Sequence, residues 1–75
     1  MFEFDLPTRS YVKIGIYNIL GERVIILADE ELSAGKKLVT WDGKDERGLD
    51  VASGIYFYKL ETADYSETRK MVLMK

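Results

Sequence analysis

Apolar and polar residues alternate with a period of two along nearly the whole chain, and no stretch places apolar residues at helical spacing. The alternation is clearest from Gly54 to Glu61, where Tyr56, Tyr58 and Leu60 share one face and Ile55, Phe57 and Lys59 the other. From Tyr11 to Tyr17, Val12, Ile14 and Ile16 oppose Tyr11, Lys13, Gly15 and Tyr17. Successive side chains of a strand point to opposite faces, so each such segment offers one face to a core. Four further strands are predicted. Phe2 to Leu6 is closed by Pro7, which cannot donate to a ladder. Glu22 to Leu27 contains the run Val24-Ile25-Ile26-Leu27, which hides its inner face. Lys36 to Trp41 is expected to bury Val39 and Trp41 while Lys37 reaches solvent. Thr68 to Met74 is the last strand.

The connections carry turn chemistry. Asn18-Ile19-Leu20-Gly21 combines an Asn able to close a turn with a Gly tolerant of positive φ. Ala63-Asp64-Tyr65-Ser66 reads as a hairpin connection, and Ala28 to Gly35 as a connector crossing between sheets. Short strands with turns at close spacing predict an all-β fold. It is a small antiparallel immunoglobulin/fibronectin-like β-sandwich of about seven strands, formed by residues 1–75 as a single domain.

At 75 residues the chain is near the lower limit for a self-sufficient core, and it holds no cysteine to staple one. The lack of cysteine and histidine removes thiolate and redox chemistry and the commonest general base. A net charge of −2 implies no basic face for nucleic acid. No apolar run is long enough to span a membrane. The opening MFEFDLPTRS lacks the pattern of a secretory signal, so a domain working outside the cell would need an export signal upstream.

Asp42, Asp45, Glu46 and Asp50 crowd with Gly43 and Gly48 in one charged loop. Lys44 breaks the alternate-ligand spacing of a calcium loop, and no helix follows to complete a phosphate cradle. A turn between strands is the favoured reading, with weak calcium binding as its alternative. Asp29, Glu30 and Glu31 read as a solvated charge run, since so small a sandwich leaves little room for a pocket between paired carboxylates. Trp41, Tyr56 and Tyr58 are expected in the core rather than in an exposed sugar-binding row. Ile55 and Phe57, if uncovered, form an apolar patch fit for a partner. No nucleophile–base pair is present, so no enzyme, cofactor or small-molecule substrate is expected. The stretch Arg69 to Lys75 reads as a final strand whose basic residues keep its edge soluble, or as an edge another protein reads by strand pairing.

One resemblance joins these features. The order is Leu6-Pro7, Val12-Lys-Ile-Gly-Ile-Tyr17-Asn-Ile-Leu-Gly21, Ala34-Gly35, Trp41-Asp-Gly43, Val51-Ala-Ser-Gly54-Ile-Tyr56-Phe-Tyr58, Lys70-Met71 and Lys75. It resembles the C-terminal sorting domains of the type IX secretion system, which belong with the immunoglobulin-like domain of the flagellar hook-capping protein. The resemblance implies a seven-stranded sandwich at the end of a larger secreted protein, delivered through periplasm and outer membrane to the cell surface. Its implied partners are a fused N-terminal cargo, the outer-membrane secretion translocon and a sortase-like peptidase. Lys70, Met71, Val72, Leu73, Met74 and Lys75 would be the recognition segment, while Gly21, Trp41-Asp42-Gly43 and Ser53-Gly54-Ile55-Tyr56 shape turns and core. A finish on Lys75 is expected of the sorting branch and not of the hook-capping branch. The alternative expectation is a structural assembly module, hook-capping-like or a filament subunit, self-associating through exposed edges and the Ile55/Phe57 face.

Overall fold

Val12, Ile14 and Ile16 are fully buried, in the phase the alternation predicts, and the rest of the chain is arranged around them. The computed structural model describes residues 2–74. Six strands follow one another: β1 (Phe2–Leu6), β2 (Ser10–Tyr17), β3 (Arg23–Leu32), β4 (Gly35–Val39), β5 (Gly54–Glu61) and β6 (Ser66–Leu73). They form two antiparallel sheets, one of four strands in the order β3-β2-β5-β6 and one of two, β1-β4. The molecule measures 36 × 19 × 19 Å. Two sheets roughly 10 Å apart fill that thickness, so side chains from the two inner faces occupy the space between them.

The core has two parts. Leu6, Val12, Ile14 and Leu60 pack beneath the small sheet, with Phe4, Leu32 and Val39 against them. Ile16, Trp41 and Tyr56 make the second part, where no strand of the small sheet reaches and the loop after β4 supplies the cover. Trp41 meets Tyr56 edge to face, with centroids 5.2 Å apart and planes at 70°. Trp41 Nε1–H donates to the Lys44 carbonyl at 2.9 Å, and Tyr56 Oη–H donates to the Ala52 carbonyl at 2.6 Å. The two core aromatics thus hold both ends of the charged loop.

Three expectations are corrected. The strands number six rather than about seven among the described residues. Ala28 to Leu32 continues β3 to ten residues, so the expected crossing from one sheet to the other is made by Ser33 and Ala34 alone. β2 offers pairing partners along that length, from Tyr17↔Arg23 to Ser10↔Leu32, and two register shifts absorb the mismatch. Asp29, Glu30 and Glu31 are therefore acids on an edge strand, where charge blunts unwanted pairing. Second, β4 ends at Val39, so Trp41 enters the core from a loop rather than from a strand. Third, β6 starts at Ser66, two residues before the predicted Thr68, because the Thr62–Tyr65 turn closes tightly onto it.

Gly15 lies on the outer face of the large sheet, under the Tyr17 ring. A Cβ there would stand 3.0 Å from Tyr17 Cε1 and Oη and 3.2 Å from Ile26 Cδ1. On the inner face, β6 carries Glu67 and Arg69 opposite Leu60 and Tyr58. These charges line an open trough of about 250 Å³ beside β1.

Candidate functional site

The four carboxylates of the charged loop are turned to partners within the domain. Asp42 Oδ1 accepts from the Lys44 amide at 3.1 Å. Asp45 Oδ1 accepts from the amides of Leu49 at 3.1 Å and Arg47 at 2.9 Å. Those amides, that of Leu49 foremost, hold the Asp45 carboxyl below its ordinary value by favouring the ionised form. Glu46 pairs with Arg23 at 2.8 Å and Asp50 with Lys44 at 3.1 Å. Glu46 also donates its amide to the Val24 carbonyl at 3.2 Å, docking the loop onto β3. Gly43 and Gly48 take φ of 78° and 81°, the conformation these turns require. This is turn chemistry throughout, and among the described residues no three acidic side chains gather into a metal site.

The outer face of the large sheet is different in kind. Inward, β5 presents Tyr56, 8% exposed, and Leu60, 3% exposed. Outward, it presents Ile55, 41% exposed, and a half-buried Phe57. The register brings Tyr17 beside Phe57 from β2, and Lys70 and Val72 beside Phe57 and Ile55 from β6. The result is an apolar strip across three strands with lysines at its margin.

The β2–β3 turn stands at the end of this strip. Asn18 builds it: its Oδ1 accepts from the amides of Leu20 and Glu22, each at 2.9 Å, and its Nδ2 donates to Glu22 Oε1 at 3.0 Å. The main chain adds Gly21 N–H to the Asn18 carbonyl and Asn18 N–H to the Glu22 carbonyl. Gly21 sits at φ 83°. The two residues at the tip, Ile19 and Leu20, are 70% and 80% exposed. The turn is legible in the sequence from Asn18 and Gly21, whereas the exposed aliphatic pair at its centre is not among the residues singled out there. The signal was present, since turn centres are ordinarily Gly, Pro, Asn, Asp or Ser and seldom a pair of large aliphatics.

The segment Lys70 to Lys75 is divided among several environments. Lys70 is exposed on the outer face opposite Phe57. Met71 is half-buried on the inner face opposite Tyr56. Val72 is 61% exposed opposite Ile55, and Leu73 is half-buried against the second part of the core. Met74 lies beyond β6 and is 84% exposed. Lys75 lies outside the described residues. β6 is an edge strand, bonded to β5 alone among the described strands.

Fold and surface define a small immunoglobulin-like module with its polar groups engaged in turns and an apolar strip on one sheet face. The family model of the FlgD Ig-like domain matches residues 1–66, and the chain belongs to that family. No curated protein and no solved structure gives a significant match.

Proposed function

We propose that this domain is a non-catalytic contact module, an immunoglobulin-like unit that builds its parent protein into a larger assembly in the manner of hook capping or a filament subunit. The reading is carried by the outer face of the large sheet, where Ile55 and Val72 stand 41% and 61% exposed around Phe57. Scattered single apolar residues on a surface are ordinary, but a contiguous strip running onto an apolar turn marks a contact site. Membership of the FlgD Ig-like family supports the same reading. The test is a photo-reactive side chain at position 57 in the parent protein within its own cells. Adducts with identified neighbours are expected from position 57 and not from position 38, an equally apolar site 62% exposed on β4. Equal or no labelling at the two positions would overturn the reading.

A second reading rests on β6. Its free edge ends in the exposed Val72 and Met74, and an extended strand with an open edge is what another protein can read by strand pairing. In this reading Lys70 to Lys75 form a sorting signal recognised by a type IX secretion translocon. Deleting residues 70–75 from a reporter fusion is then expected to hold the reporter in the periplasm of a type IX-competent host. Unchanged delivery to the surface would remove this reading.

A further inference from the structure

We propose that two copies of this chain pair through the β2–β3 turn. The Ile19–Leu20 tip of each copy seats in a hollow on the outer face of the other, in a two-fold symmetric dimer. The proposal rests on the contact-module reading above and names the partner.

Four observations carry it. The tip presents two large aliphatic side chains, 70% and 80% exposed, at positions where turns ordinarily carry polar or small residues. It is held rigid by the Asn18 bonds, so little ordering remains to oppose docking. Directly beside it lies a hollow of about 350 Å³, bounded by Tyr17, Phe57, Lys59, Thr68 and the turn itself. A projection adjacent to a recess on one surface is self-complementary about a two-fold axis, since each copy supplies what the other lacks.

The charges favour the same occupant. Glu22 is exposed at the base of the tip, where its Oε1 accepts from Asn18 Nδ2. Lys59 lines the hollow and is only loosely paired with Glu61, at 4.0 Å. Lys70, next to Phe57 on the neighbouring strand, has no ion-pair partner among the described residues. When the tip of one copy enters the hollow of the other, Glu22 comes to the lysine side of its partner, and symmetry makes this contact twice. Complementary charge of this kind fixes orientation as well as pairing.

Sedimentation equilibrium of the 75-residue chain over concentrations up to about 1 mM tests the pairing. A monomer–dimer equilibrium is expected. Ile19→Asp is expected to weaken it at least about tenfold without a change in Tm, because the side chain is exposed and the turn is built by Asn18. Glu22→Lys is expected to weaken the dimer, and Lys70→Glu in the same chain to restore it. A chain that stays monomeric throughout overturns the proposal, as does a dimer indifferent to Ile19→Asp. If the chain is monomeric while position 57 still labels a different protein in cells, the pairing fails and the contact-module reading stands. If position 57 labels nothing, that reading fails as well.

Discussion

Replacing Trp41 by alanine is expected to lower the stability of this domain by about 3–5 kcal/mol, the range for removing a large buried aromatic. A fold of this size has in total roughly 4–11 kcal/mol at typical per-residue values. The variant is therefore expected to be largely unfolded at moderate temperature, with Tm lowered by more than about 10 °C. The reason is positional. Trp41 is 7% exposed and comes from a loop, so it is both part of the core and the anchor of what covers that core. Its ring packs on Tyr56, and its indole N–H is bonded to the Lys44 carbonyl. Trp41→Phe separates the two contributions. It keeps an aromatic ring and removes the donor, leaving a carbonyl to find another partner, at a cost of about 1–3 kcal/mol. Thermal melts of both variants measure the difference. A melt hardly altered by Trp41→Ala would mean that the loop is not held through this residue.

Ile14→Ala is expected to have the next largest effect, a loss of about 2–5 kcal/mol read by chemical denaturation. Ile14 is fully buried under the small sheet with Leu6, Val12 and Leu60. Among the described strands β1 and β4 bond to each other and to no strand of the large sheet, so side-chain packing is what holds this pair against it. A cavity at Ile14 therefore weakens the attachment of a whole layer. Leu38→Ala is the matched control: it removes a similar side chain from β4 at a position 62% exposed, and a change within about 0.5 kcal/mol is expected. Similar losses for the two variants would contradict the burial pattern.

The alternation of Val12, Ile14 and Ile16, and of Tyr56 and Leu60, was legible because in a strand one phase of the sequence is one face of a sheet. The third strand was legible only in part. Its run Val24-Ile25-Ile26-Leu27 has no alternation to read, since register shifts send neighbouring residues to unexpected sides. Its extension through Asp29, Glu30 and Glu31 looked like a connector because acids are common in turns; on an edge strand the same acids keep other strands away. The burial of Trp41 is legible but its delivery from a loop rather than a strand is not, because residue type signals burial without saying which element supplies it.

The candidate surface was half legible. Ile55 and Phe57 could be assigned to the face opposite the core by phase alone, whereas their meeting with Tyr17, Lys70 and Val72 depends on strand order and register. No local pattern encodes either. The tip residues Ile19 and Leu20 needed only a question about composition: why a turn should carry two aliphatics.

The floor of this surface depends on an atom that is absent. Tyr17 lies across Gly15, and the first atom of any other side chain there would sit 3.0 Å from its ring. Tyr17 is the end of a side chain on an open face, so it would yield sideways and the sheet beneath would hold. The relief of the surface is thus set from below, separately from the residues that give it its chemistry. Two domains alike in every exposed side chain but differing at this position would share a fold and present different shapes to a partner. A single backbone position then acts as a filter on which related domains fit one another.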